Sequence, residues 1–325
     1  MTPRERGIAA LELREPTDCV PFFELGFQLE EEAFGTGFPT RAQLAAAGPG
    51  ERERLMGRVV EMLIAIGERY DHSVLRLTGR VPTVTFADQL WYLRRLSAEA
   101  GGRFLIGAMA DGTFAIPNGR TMEAMAVQFL EQRQETHALA RRRVQEAVER
   151  SKRFIDAGAD MILMCADYCF NDGPFLSPRM FAEFVTPYLH EVVRAIKAAG
   201  GYAVKHTDGN IMPILDQLLA CEPSAIHSLD PQGGVDIAEV KALAAGRTCL
   251  MGGVHCGMMQ TGSDADVVRS AKYCLYHGMP GGGYMFGLSN VAFKGLTLER
   301  YDLLHRVWRE YGRYPMAGFS VDGEL

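Results

Sequence analysis

Short apolar runs closed by turn residues recur along the chain, and longer stretches whose apolar positions repeat every three to four residues separate them. The short runs have the length and continuity of buried parallel strands, and the long ones the period of covering helices. Eight strands are expected, at 20–25, 73–77, 104–108, 161–165, 202–206, 225–228, 248–253 and 283–287. Helices are expected at 135–157, 178–199, 214–220, 237–245, 264–277 and 298–311. Ser177 followed by Pro178 reads as a helix cap with proline at the first helical position, and Ala157-Gly158 closes the helix before it. This alternation predicts a single (β/α)8 TIM barrel spanning 1–325. Residues 27–70 exceed an ordinary connection and read as a helical elaboration carrying EEEAF and RERLMGRVVEMLIAIGERY, and 313–325 as a loose tail. No repeat period, low-complexity stretch or linker divides the chain.

Composition narrows the classes that remain. A hydrophobic fraction of 47% and a mean hydropathy of -0.04 suit a folded chain with a large core. Apolar runs such as 159–166 and 192–204 meet charge well before the roughly 18 residues of a membrane span. The start, MTPRERGIAALELREP, has basic residues with no apolar segment behind them, so no secretory signal is read and a cytoplasmic location is expected. Net charge is -6 and the basic run Arg141 to Arg143 lies on a mixed helical surface, which argues against nucleic acid as a partner. The seven cysteines, an odd number with only Cys165 and Cys169 closely spaced, are expected to be reduced thiols.

In such a barrel the polar residues that follow strands gather in one pocket, so chemistry is sought there. The strand ends offer Asp167 and Tyr168, then His206, Asp208 and Asn210 in KHTDGN, then Asp230, His255 with Cys256, and Ser289 with Asn290. His206 can ligate a metal, relay a proton or anchor a substrate. Asp208, Gly209 and Asn210 are explained equally by turn chemistry and by catalysis, and Asp230-Pro231 equally by a turn start and by a carboxylate that orients His206. Asp167 follows the apolar run MILMC, where an unpaired carboxylate is costly unless it serves a ligand or a hydrogen-bond network. His206 and Cys256 would form part of a zinc site; a buried thiol behaving as a small hydrophobe is the alternative for Cys256. The assignment is therefore catalytic for His206, Asp208, Asp167 and Asp230, and substrate-binding for Tyr168, Asn210, His255, Ser289 and Asn290. MPGGGY lacks the spacing of a phosphate loop and reads as a tight turn.

The stretches DAGADMILMCADY, GPFLSPRMFAEFVTPYLHEVV, KHTDGNIMPIL, SLDPQGGVDIAEVK, CLMGGV and SNVAFKGLTLERY resemble the uroporphyrinogen decarboxylase superfamily, from about Gly107 to Tyr311. That superfamily includes zinc-dependent methyltransferases acting on methylated corrinoid proteins and thiols, and the resemblance implies the same barrel. The decarboxylases themselves carry an arginine-bearing stretch near the first strand that holds substrate propionates. Here that stretch is VPFFELGFQLEEEAFG, acidic and without arginine. The chain thus resembles the methyltransferase branch more closely, which implies zinc, a small-molecule substrate and a corrinoid carried by a partner protein. His206 matches the histidine of that branch's His-x-Cys motif, with Asp208 in place of the cysteine; Ser289, Asn290 and Val291 stand where a further cysteine is expected. A methyltransferase-like enzyme is the leading expectation. A metal-free decarboxylase, with Asp167 or Asp230 stabilising a protonated intermediate, and a non-catalytic ligand-binding barrel are the alternatives.

Overall fold

In the computed structural model, which describes residues 1–316, 318, 320 and 321, a curled sheet of seven parallel strands carries helices on its outer face. The strands are β1 (Val74–Arg76), β2 (Leu105–Met109), β3 (Met161–Met164), β6 (Tyr202–His206), β7 (Ala225–Ser228), β8 (Cys249–Gly252) and β9 (Tyr284–Met285), paired in that order. After β3 the chain makes a small hairpin of β4 (Cys169–Phe170) and β5 (Gly173–Pro174). Seven of the eight expected runs are therefore strands.

The run 20–25 departs from the expected (β/α)8 count: it is extended but joins the sheet only through single parallel bridges. Phe22 bridges His72 on one side and Phe286 on the other. Pro21 has no N–H to give a ladder, so only its carbonyl takes part, accepting from Phe286 N at 2.9 Å, while Phe23 N donates to Phe286 O and Ser73 N to Phe22 O.

Period-two alternation sorts the side chains into two layers. Phe23, Leu25, Val74, Leu105, Met161, Leu163, Val204, Ala225, Cys249, Met251 and Met285 point inward and pack together. The helix Pro3–Leu11, not anticipated from the pattern, adds Ala10 and Leu11 to this inner core. The opposite positions, such as Ile106, Ile162, Ala203, Ile226 and Leu250, pack beneath the helices.

Several helix boundaries differ from expectation for local reasons. The stretch 178–199 forms two helices, Pro178–Phe184 and Thr186–Ala198, because Pro187 cannot donate and Val185 leaves helical geometry at φ -122° and ψ -55°. The elaboration at 27–70 contains three helices, Glu30–Phe34, Arg41–Ala46 and Pro49–Tyr70. Phe86–Ala100 and Met122–Glu131 add to the expected set. The tail begins tied down: Arg313 bridges Cys19, and Tyr314 donates from its amide to Asp18 O and from its hydroxyl to Met279 O. Residues 317, 319 and 322–325 of that tail lie outside the described residues. The seven cysteines are free, and no helix of the described residues is long and apolar enough to cross a membrane.

Candidate functional site

Three strand ends supply the centre of the site. β6 alternates Val204 inward, Lys205 outward and His206 inward, which leaves the His206 ring at the upper rim of the inner core. There Nε2 of His206 faces Asp167 Oδ1 at 3.6 Å and Asp208 Oδ1 at 3.7 Å. Ligand atoms of these three residues lie within 4.8 Å of one another, the arrangement a shared metal ion requires. On the other side of the ring, Nδ1 of His206 is 2.8 Å from Nδ1 of His227, its register partner on β7.

The turn after β6 is held by close backbone contact. Gly209 has φ +77°, and a Cβ there would sit 2.6 Å from Cys169 O, while a Cβ on Gly233 would come within 2.4 Å of the Gly209 carbonyl carbon. Only glycine fits either position. The loop 208–210 is thus clamped between the β4–β5 hairpin and the turn at Asp230, with Asn210 N bonded to Phe170 O and Gly209 N near Asp230 Oδ2 at 3.4 Å.

Asp208 carries an unusual electrostatic load. Asn290 Nδ2 donates to its Oδ2 at 2.6 Å, but its Oδ1 is buried with no hydrogen-bond partner among the described residues. Burial pushes the carboxyl up to about 7, and the neighbouring carboxylates of Asp167 and Asp230 add to the shift. Asp167 is also raised, again chiefly by burial, and it accepts from Asp208 N at 3.2 Å. Burial and the adjacent His227 hold His206 neutral, well below the ordinary histidine range.

A second set of residues, not read from the sequence, fixes Asp167 from behind. Lys205 is wholly buried; its Nζ donates to Asp111 Oδ2 at 3.0 Å and Ala166 O at 2.8 Å and lies 4.0 Å over the Tyr168 ring. Asp111 in turn accepts from Ala166 N and from the amide and hydroxyl of Thr113. Burial opposes its charge, yet the lysine and these donors win and keep its carboxyl below the usual range. Both polar groups of the Ala166 residue are therefore gripped, one residue before Asp167. Arg76 on β1 is a further unanticipated charge at this level: it is buried, and its Nε and Nη1 have no hydrogen-bond partner among the described residues.

The remaining expected site residues occupy other positions. Tyr168 is buried, with its hydroxyl 2.7 Å from Thr113 Oγ1. Asn210 Oδ1 accepts from Met212 N, and His255 Nδ1 caps the helix Cys256–Thr261 by accepting from Met258 N. Asp230 accepts from Gln232 N as the cap of a short turn. Cys256 stands apart from the Asp167, His206 and Asp208 group; its buried thiol, pushed up to about 12 by desolvation, accepts from Ser289 Oγ at 3.5 Å. A cleft of about 530 Å³ opens at the ends of β1, β2 and β3, lined by Thr78, Met109, Asp111, Thr113, Arg143 and Cys165 among others. Its size suits a small-molecule ligand.

Residues 92–311 match the model of the family described as uroporphyrinogen decarboxylase (URO-D). A uroporphyrinogen decarboxylase of Salinibacter ruber is 28% identical over 154 residues, covering 46% of this chain and 37% of that protein. The match thus spans well under half of that relative. A methyltransferase from Methanosarcina mazei superposes with a TM-score of 0.75 at 17% identity, covering 96% of this chain and 99% of that one, which shows a common fold.

Proposed function

The chain belongs to the uroporphyrinogen decarboxylase family, and from that premise we propose that it is a methyltransferase-like enzyme whose chemistry is centred on Asp167, His206 and Asp208. With the run 20–25 counted as its eighth stave, the scaffold reads as a (β/α)8 barrel and the trio lies at its C-terminal mouth, the usual place for catalysis in that fold. The observation that carries the reading is the convergence of an imidazole nitrogen and two carboxylates, one with a buried oxygen that has no hydrogen-bond partner among the described residues.

The donor set fits a divalent ion. Two ligand atoms each about 2.1 Å from a shared zinc lie at most about 4.2 Å apart; the two separations from Nε2, 3.6 and 3.7 Å, meet that limit, and the two carboxylates lie within 4.8 Å of each other. His206 Nε2, Asp167 and Asp208 would hold it, leaving the fourth position open as catalytic zinc sites do. Bound there, zinc would supply Lewis acidity that keeps a thiol in its nucleophilic thiolate form. Two oxygens in place of two sulfurs make the site harder than a thiolate-rich one and widen the range of acceptable ions. The chain's own residues orient and desolvate: Asn290 fixes the Asp208 carboxylate and the Lys205–Asp111 pair fixes the peptide before Asp167, while the 530 Å³ cleft shares Asp111 with that pair but is lined by none of the three central residues. A methylated corrinoid on a partner protein, or a methylated thiol, would be the methyl donor.

The Asp208 carboxyl near 7 favours one other reading. A protonated Asp208 could deliver its proton to the carbon that keeps the bonding electrons when carbon dioxide departs, as in a metal-free decarboxylase.

The test is elemental analysis of tag-free protein purified without chelator, alongside His206→Ala and Asp208→Ala, followed by methyl transfer from methylcobalamin to a panel of small thiols. About one equivalent of divalent metal, lost in both variants, together with thiol methylation supports the methyltransferase reading. Metal-free wild-type protein that does not rebind zinc overturns it and leaves the decarboxylase.

A further inference from the structure

Arg76 and Lys205 are the two buried Arg and Lys side chains among the described residues, and they differ in company. Lys205 is engaged by Asp111, the Ala166 carbonyl and the Tyr168 ring. Arg76 is 8% exposed and makes no ion pair among the described residues, and its Nε and Nη1 are sealed from water without a hydrogen-bond partner. A guanidinium cannot escape the cost of burial by giving up its proton. Its missing partner is therefore sought outside the chain.

The surroundings of Arg76 define what would fit. β1 places Val74 inward, Leu75 outward and Arg76 inward, as β6 does with Val204, Lys205 and His206. Gly107, the register partner of Arg76 on β2, leaves room beside it: a Cβ there would stand 3.0 Å from Arg76 Cβ and 3.2 Å from Leu163 Cδ1. Arg76 lines a cavity of about 30 Å³ with Glu24, His72 and Thr78 among otherwise apolar neighbours. One water-sized atom takes roughly 10–15 Å³, so there is space for about two, the oxygens of one carboxylate. Neither titratable neighbour supplies the missing charge. Glu24 accepts from Ala292 N and the Tyr301 hydroxyl, and burial raises its carboxyl to about 8, which keeps it protonated at neutral pH. His72 Nε2 lies 3.0 Å from the same hydroxyl, and burial keeps that ring neutral.

Thr78 lines both this cavity and the 530 Å³ cleft, so the cleft gives a small molecule access to Arg76. The charge of Arg76 also reaches His206 and His227 and helps to keep both rings neutral, which places it at the same mouth as the central trio. We propose that Arg76 anchors the carboxylate of a small-molecule substrate in the 30 Å³ cavity. The planar fork of N–H donors matches the two oxygens of a carboxylate, a match that a halide cannot make. On the proposed function the ligand is a thiol acid that accepts the methyl group; the inference rests on that reading only for the thiol end.

Calorimetric titration of the metal-free protein tests the anchor without methyl transfer. Wild type is expected to bind 3-mercaptopropionate at least about tenfold more tightly than 3-mercapto-1-propanol, and Arg76→Met to lose that preference. Arg76→Lys keeps the charge without the fork and should fall between them. Urea unfolding in a buffer free of small anions checks the premise. Arg76→Met removes a buried charge that has no partner, so its midpoint is expected to equal or exceed that of wild type, and added acetate should raise the wild-type midpoint alone. A lower midpoint for Arg76→Met shows that the chain already supplies a partner and overturns the proposal. So does a wild type without the preference, a preference that survives in Arg76→Met, or tighter binding of bromide than of the carboxylate. Protein that binds the thiol acid through Arg76 yet holds no metal and methylates no thiol keeps the anchor and refutes the proposed function.

Discussion

Replacing Lys205 with methionine removes the ammonium that pairs with Asp111 while leaving the carboxylate where it is, so the structure sets the size of the effect. Lys205 is 0% exposed, and its loss removes a 3.0 Å ion pair, a 2.8 Å bond to Ala166 O and the contact with the Tyr168 ring. Breaking one side of a buried pair costs about 3–5 kcal/mol, because the remaining charge stays in a dry interior. Asp111 retains three donors, the amides of Thr113 and Ala166 and the Thr113 hydroxyl, which places the cost at the lower end, about 3 kcal/mol. That corresponds to roughly a 100-fold fall in the ratio of folded to unfolded protein. Asp111→Asn should cost a similar amount by orphaning the lysine. The double variant Lys205→Met/Asp111→Asn should cost less than the sum of the two by about 2 kcal/mol or more, since neither charge is then left alone. Equilibrium urea unfolding followed by tryptophan fluorescence and far-ultraviolet circular dichroism measures all three. Single losses under about 1 kcal/mol, or strict additivity, would refute the argument that burial makes this pair interdependent.

Glu24 gives a pH prediction of definite sign. Its carboxyl is buried beside Tyr301 and the Ala292 amide, and desolvation raises it to about 8. The folded state therefore holds a proton that the unfolded chain releases near 4.5. The resulting stability is complete below that value and is lost as pH rises through 8, with a slope of up to about 1.4 kcal/mol per pH unit. Urea midpoints from pH 5 to 9 should show this decline, and Glu24→Gln should flatten it. Asp88 acts in the opposite direction: although burial opposes its charge, bonds from Thr85 N, Val84 N and Arg52 hold it low, so its contribution is present at neutral pH and fades on acidification. Asp88→Ala should cost about 2 kcal/mol at pH 7, read as a lowered urea midpoint, because it removes a helix cap and unpairs Arg52 together. Gly233→Ala should displace the loop 208–210 and weaken the zinc binding proposed for Asp167, His206 and Asp208 at least tenfold with little change in circular dichroism; unchanged affinity would show that the loop is not clamped as described.

How far the sequence could be read depended on the reach of each signal. The seven sheet strands and most of the covering helices were legible because their apolar periods are strong and local. The run 20–25 was equally apolar, but Pro21 removes a donor that a ladder needs, and hydrophobicity does not register a missing N–H. The same blindness merged two helices across Val185 and Pro187. In the site, His206, Asp208 and Asp167 stood out as polar residues following apolar strands, and the structure brings these three together. Asp111, Lys205 and His227 did not stand out, since their roles arise from partners distant in sequence: Lys205 meets Asp111 across 94 residues and His227 meets His206 across 21. A histidine or lysine inside a strand looks like an exception to alternation until the neighbouring strand is in place. Arg76 was hidden for the same reason, in a three-residue strand away from the acidic stretch searched for arginine.

The bridges made by Phe22 bear on how the chain is made as well as how it stands. They tie a residue near one end of the sequence to Phe286 near the other, and they cover the open flanks of both β1 and β9. During synthesis the early segment has no partner on its far side until Phe286 has been produced. For that interval both flanks of the growing sheet display unpaired amides and carbonyls, the feature through which strands of separate molecules join. Closing this seam is thus also the step that shields the flanks of the sheet from other copies of the same chain.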